Sequence, residues 1–277
     1  RAKEERGTTY RVFDPARDSR DTTRLQLERD LRRAVERREF TLRYQPIVSM
    51  ESGSLVGGEV LMRWEHPRRG LLSPGQFLDI AEETGVIVKI GEQILAQALE
   101  TLRDWREQGL LGEEFTLSVN LSALEFQEAH IVERVERLLE RTGTDPVRLQ
   151  LEITETVAMQ NPETLSELRA LGVGIAVDDL GTGYASLEYL THFDTDVLKI
   201  DKNFVEGMVE DPRDDAIVEA ILVLADRLGM PVVAEGVETD RQLELLRESG
   251  CGFGQGYLFG RPGSADEFRS LLADRVE

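Results

Sequence analysis

Cysteine is all but missing from this chain: Cys251 stands alone, so no disulfide can close within it, and a reducing cytoplasm is the expected setting. With no thiol-activating group close by in sequence, Cys251 reads as a packing residue. Long apolar runs are missing as well. Nowhere do about 18 uninterrupted apolar residues occur, and the charged opening Arg1-Ala2-Lys3-Glu4-Glu5-Arg6 lacks a signal core, so neither a membrane span nor a secretory leader is expected. Basic residues are outnumbered, 33 Lys and Arg against 53 Asp and Glu, for a formal net charge of −20. That balance repels DNA, RNA and an anionic membrane surface. It leaves room for a small phosphorylated ligand held by cations and a few arginines. The three histidines, His66, His130 and His192, lack metal-ligand spacing, which argues against zinc and against a histidine–aspartate metal core.

What is present is a pattern of alternation. The 277 residues, 40% hydrophobic with 9 prolines, can bury one large core, so a single domain is expected. A first helix is expected over 23–38, where Thr23 and Gln26 match a capping box and Leu27, Leu31 and Val35 recur every four residues. The stretch 13–18 reads as a polar linker, with Pro15 kept outside the helix. Strands are expected near 42–47, 55–64, 115–120, 149–153, 174–179, 197–200, 232–235 and 256–259. Amphipathic helices lie between most of them, and Gly109, Gly143, Gly172, Gly229 and Gly250 fall where left-handed helix ends belong. Ser264 and Glu267 mark one further capping box. Strand and helix in alternation imply an α/β fold with helices outside a parallel sheet, closed as a barrel or open and doubly wound.

The strand ends carry the chemistry. Apolar runs stop at or near Glu59, Asn120, Glu152, Asp178, Asp179, Lys199 and Glu235, and a closed barrel would gather those ends at one mouth. One carboxylate after a strand is ordinarily a helix cap or an ion-pair partner. Six oxygen-bearing positions are harder to explain that way, since caps favour Ser, Thr, Asn and Asp over Glu. The set has no thiolate or imidazole, which suits magnesium or manganese and can also hold calcium. The adjacent Asp178 and Asp179 could serve two ions about 3.5–4 Å apart that clamp the attacking and leaving oxygens of a phosphodiester. Lys199 could orient the attacking water or offset transition-state charge; it would act as a base only if its pKa were lowered. The glycine-rich turn over 178–184 reads either as a tight turn or as a mobile loop carrying Asp179. Gly57-Gly58-Glu59-Val60 superficially suggests a cyclase, but it runs straight into Leu61-Met62. A sugar-processing barrel with paired carboxylates leaves Lys199 and the consecutive aspartates unexplained.

At these residues the chain resembles the EAL phosphodiesterase family. The blocks are Tyr44-Gln45-Pro46-Ile47, Glu59-Val60-Leu61-Met62-Arg63-Trp64, Ser118-Val119-Asn120-Leu121-Ser122, Leu151-Glu152-Ile153-Thr154-Glu155, Asp178-Asp179-Leu180-Gly181-Thr182-Gly183, Leu198-Lys199-Ile200-Asp201, Ala234-Glu235-Gly236-Val237-Glu238 and Gln255-Gly256-Tyr257. The resemblance implies a modified (β/α)8 TIM barrel with one antiparallel strand, over 42–47, that hydrolyses cyclic di-GMP to linear pGpG. It implies one ion on Glu59, Asn120, Glu152 and Asp178, and a second on Asp178, Asp179 and Glu235. Magnesium or manganese would be productive and calcium not. Lys199 and Glu235 would contact the catalytic water, Glu155 would anchor the aspartate-bearing loop, and Gln45, Leu61, Arg63 and Gln255 would face substrate. Arg63 offers a planar fork for a phosphate oxygen.

A homodimer is also implied, and residues 1–21 resemble the tail and linker of an upstream GGDEF domain, with the barrel over 22–277. Val60, Leu180 and Asp194-Thr195 depart from the family's pattern without removing a ligand. The alternative role is a catalytically weak or inactive EAL module that serves as a cyclic di-GMP receptor.

Overall fold

The computed structural model describes the backbone of residues 15–180 and 195–274, and side chains over 24–178 and 195–274. Residues 1–14 of the GGDEF-like tail and linker expected over 1–21, the side chains of Asp179 and Leu180, and the glycine-rich turn from Gly181 with Asp194 lie outside the described residues.

The chain enters through a helix, Pro15–Arg37, that starts well before Thr23, so Pro15 belongs to the helix and not to a linker. Proline suits a first turn because its missing N–H would have had no intrahelical partner there. Two antiparallel strands follow, β1 (Phe40–Ser49) and β2 (Leu55–His66), with Gln45 opposite Glu59. A short β3 (Gly70–Leu72) extends β2 on the outside of the sheet. Then come β4 (Thr116–Asn120), β5 (Leu149–Thr154), β6 (Gly174–Leu180), β7 (Val197–Ile200), β8 (Val232–Ala234) and β9 (Phe253–Gln255).

The sheet order is β1-β9-β8-β7-β6-β5-β4-β2-β3 with β1 also paired to β2, so eight strands close into a barrel. Closure removes the open, doubly wound alternative. β1 runs antiparallel to both its neighbours, whereas β2 and β4 through β9 are parallel, as the resemblance implies.

Alternation along each strand decides what faces the helices and what fills the barrel. In β5, Leu149, Leu151 and Ile153 pack into the same apolar cluster as Val135 and Leu138 of the Ile131–Thr142 helix. Gln150 and Glu152, between them, are also buried and point inside. A second cluster joins Leu198, Ile200 and Ala234 to Val218, Leu222 and Ala225 of the Pro212–Leu228 helix. The outer shell is thus ordinary apolar packing, while the interior keeps polar side chains.

The expected glycine helix ends hold: Gly109, Gly143, Gly172, Gly229 and Gly250 all have positive φ. Ser264 and Glu267 form the expected capping box. The strand expected over 256–259 is instead a turn, and β9 lies just before it. The Gly256 Cα packs so tightly on Val237 that an added Cβ would meet its carbonyl oxygen at 2.1 Å, and Leu258 N donates to that same oxygen. Among the described residues, no helix is long and apolar enough to cross a membrane.

Candidate active site

Strand register assembles the mouth. β4 and β5 set Asn120 beside Glu152, β5 and β6 set Thr154 beside Asp178, and β1 and β2 set Gln45 opposite Glu59. Lys199, on β7, stands in the centre and is 1% exposed. Its Nζ lies 2.6 Å from Glu235 Oε1, 2.7 Å from Glu152 Oε2, 3.6 Å from Glu59 Oε2 and 3.8 Å from Asp178 Oδ1. Asn120 Nδ2 donates to Glu59 Oε1 at 2.7 Å. Gln255 Nε2 donates to Glu59 Oε2 at 2.6 Å and to Gln45 Oε1 at 3.1 Å. The expected ligand residues Glu59, Glu152, Asp178 and Glu235 therefore converge around one ammonium, and Asn120 joins them through Glu59.

Four carboxylates lie around one buried ammonium, and the protonation of Glu152 and Glu235 responds to that crowding. Burial pushes Glu152 up to about 8; Lys199 opposes the shift, while Glu59 and Asp178 add to it. Burial likewise pushes Glu235 up to about 7, opposed by Lys199 and reinforced by Asp178 and Glu59. Burial by itself would lower Lys199, but Glu152, Glu59, Glu235 and Asp178 outweigh it and hold the ammonium well above its ordinary pKa. Among these carboxylates Lys199 is held as an ammonium.

Do these residues fit a divalent cation? The donors are hard oxygens, and Glu152 Oε1 is fully buried with no hydrogen-bond partner, which is costly unless something positive meets it. Among the described residues, no three His, Cys, Asp or Glu side chains are spaced as a ready-made cage; Glu59, Glu152, Asp178 and Glu235 lie around Lys199. The chemistry of the set fits magnesium or manganese, with the cation taking over charge that Lys199 now balances.

The remaining expected residues are distributed around this centre. Gln45 and Gln255 are buried; Gln255 donates to Glu59 and to Gln45, and Gln45 donates to Gly260 O. Leu61 lines a cavity of about 390 Å³ together with Met62, Pro74, Asn120 and Asp178, next to the ligand cluster. Arg63 is half-buried, donates to Met62 O at 2.8 Å and has its pKa lowered by burial and by nearby Arg43. Glu155 opens the helix after β5, with Oε2 buried and unpartnered and its pKa raised by burial; the loop it was expected to anchor lies outside the described residues. Sequence reasoning missed the buried Glu125 on the cavity wall, although Ser122 three positions earlier gave a capping-box signal. It also missed the stacking of Arg261 over Tyr257, 4.1 Å from the ring centre.

Comparison with known proteins decides the family: the EAL domain matches residues 28–262. This chain belongs to the EAL domain family. The EAL chain is 44% identical over 276 residues to the bifunctional diguanylate cyclase/cyclic di-GMP phosphodiesterase MucR of Pseudomonas aeruginosa, spanning 98% of this chain but 40% of that protein. It is 41% identical over 248 residues to the cyclic di-GMP phosphodiesterase NbdA of the same organism, spanning 88% of this chain and 31% of that one. The chain thus spans less than half the length of these relatives. Among solved structures, a MucR phosphodiesterase in complex with c-di-GMP superposes with a TM-score of 0.84 at 46% identity, covering 88% of this chain and 99% of that one. The EAL enzyme Bd1971, bound to cAMP and cyclic di-GMP, gives a TM-score of 0.87 at 36% identity, covering 91% and 69%. The EAL barrel is accordingly a TIM barrel modified by one antiparallel strand, with β3 added outside.

Proposed function

We propose that this EAL barrel hydrolyses cyclic di-GMP to linear pGpG, with Glu59, Asn120, Glu152, Asp178, Asp179 and Glu235 holding magnesium or manganese. The observation that carries the reading is the convergence of Glu59, Glu152, Asp178 and Glu235 within 3.8 Å of Lys199 Nζ. Relatives and matched structures that name cyclic di-GMP as substrate or ligand support the same reading.

When bound, divalent ions of this type supply Lewis-acid activation of water and neutralise charge on the phosphodiester. The chain's own residues do the rest. Lys199 remains protonated and places a positive charge beside the reacting phosphorus, where negative charge grows as water adds and the P–O3′ bond breaks. The ribose oxygen leaves with a proton and the 5′ phosphate of pGpG stays behind. Gln255, itself held by Gln45, donates to Glu59 and keeps its carboxylate turned into the ligand set. Arg63 gives up its hold on Met62 O to reach a phosphate oxygen of the ligand, and Leu61 with its cavity offers apolar surface beside the ligand cluster.

The active form we propose is a homodimer within a larger cytoplasmic signalling protein that carries an upstream GGDEF or sensor domain. Calcium would bind the same oxygens without supporting turnover. The test is side-by-side calorimetry and chromatography with cyclic di-GMP and manganese. Linear product supports the enzyme; binding with no product makes the barrel a receptor.

A further inference from the structure

Asn120 is the last residue of β4, and the loop it opens is fastened on both sides. Leu121 N donates to Glu152 O at 2.8 Å, which ties the loop to β5. On the other side Ser122 caps the short Ala123–Phe126 helix through a reciprocal box in which Glu125 Oε2 accepts from Ser122 N at 3.1 Å and from Ser122 Oγ at 2.6 Å. Such a box requires only one carboxylate oxygen. The second, Oε1, is fully buried without a hydrogen-bond partner, and Glu125 is 2% exposed.

Gly91 explains where that oxygen goes. A Cβ built on Gly91 would lie 1.5 Å from Glu125 Oε1 and 2.4 Å from its Cδ. The carboxylate therefore fills the place where any other residue of the Ile87–Glu107 helix would carry its side chain. Arg134 from the Ile131–Thr142 helix is buried nearby and opposes the rise that burial causes in the Glu125 pKa, while Glu82 adds to it. Gly91, Glu82, Ser122 and Glu125 line the same cavity as Asn120 and Asp178. A buried carboxylate with an unsatisfied oxygen is a poor way to stabilise one turn of helix. It is a good way to lock a loop against a long helix.

We propose that Glu125, seated on Gly91, is a positioning residue that holds Asn120 in place for the divalent ion. It acts through the β4 loop and touches neither ion nor substrate. The inference rests on the reading of the barrel mouth as a divalent-ion site.

The test uses manganese alone as the probe, with binding followed by calorimetry and by the manganese paramagnetic resonance signal, alongside kcat, KM and melting curves. Glu125→Ala and Gly91→Ala should each weaken manganese binding by about 10–100-fold, the range for groups that orient metal ligands, with KM for cyclic di-GMP changed far less. Glu125→Gln keeps the shape and the oxygen that Ser122 needs, and should stay within about threefold of the parent affinity. Combining Gly91→Ala with Glu125→Ala should be no worse than Glu125→Ala, because the new methyl enters the vacated space. A helical Gly→Ala change ordinarily stabilises, so loss of manganese affinity at Gly91 is not a generic effect.

Unchanged manganese affinity in Glu125→Ala overturns the inference, as does Glu125→Gln behaving like Glu125→Ala, or the two single losses adding in the double variant. If Glu125→Ala does not fold, Glu125→Gln and Gly91→Ala carry the same decision. A parent protein that binds no manganese overturns the metal reading and this inference together, which separates that failure from one confined to Glu125.

Discussion

Replacing Lys199 by methionine probes the charge balance of the site directly. The ammonium, itself 1% exposed, makes two short contacts, 2.6 Å to Glu235 and 2.7 Å to Glu152, and two longer ones to Glu59 and Asp178. Methionine keeps most of the volume and removes the charge, so in metal-free protein Glu59, Glu152 and Glu235 lose the ammonium they share. Breaking a buried ion pair from one side costs about 3–5 kcal/mol. Glu152, pushed up to about 8, already carries its proton at pH 7, so less charge is left unpaired there and the lower end applies. For a chain of this size about 3 kcal/mol corresponds to a melting temperature about 6–12 °C lower. Saturating manganese should close most of the gap, since the cation restores positive charge to the folded state only. Turnover should not recover, and kcat should fall more than KM rises, as expected of a group acting in the transition state. Differential scanning calorimetry with and without manganese, at pH 7 and above 8, reads the effect. An unchanged melting temperature in metal-free Lys199→Met at pH above 8 would refute the assignment of Lys199 as the counter-ion.

Glu59→Ala should lower turnover by more than about 100-fold, the upper end for removing even a supporting group of a metal site, and normal turnover at saturating magnesium would reject its role as a ligand. Arg63→Ala should raise KM about tenfold or more by losing a charged hydrogen bond to phosphate, with kcat nearly unchanged; steady-state kinetics decide. Because Glu152 and Glu235 bind protons more tightly folded than unfolded, metal-free stability should be highest near pH 5 and fall as pH rises through 7 and 8. A melting temperature that rises over that range contradicts the buried cluster. Cys251, buried and pushed up to about 12 by burial, should resist thiol reagents at pH 8 until the protein unfolds; rapid labelling of native protein would show a different environment.

The eight-strand count and the ligands at strand ends were legible because parallel barrel strands are apolar on their outer face and must stop where the chemistry begins. Closure of the barrel was legible only through the family resemblance, since periodicity fixes faces but not the order of neighbours. Phe253-Gly254-Gln255 was overlooked in favour of 256–259 because the apolar Tyr257-Leu258-Phe259 looks more strand-like. What decides is the close approach of Gly256 to Val237, a contact between distant segments. The start of the first helix was misplaced because Pro15 was read as a breaker when it can equally open a helix. Glu125 was visible only as half of a capping box, and nothing local shows that its other oxygen sits on Gly91. The paired hydrogen bonds from Gln255 to Glu59 and Gln45 likewise depend on β9 closing against β1.

The most direct measurement is product analysis: purified chain, cyclic di-GMP and manganese, with the linear dinucleotide followed by chromatography before and after chelation. Product that accumulates with manganese, stops on chelation and returns when the ion is restored is the predicted result. Tight binding of cyclic di-GMP with no pGpG under any divalent ion contradicts it.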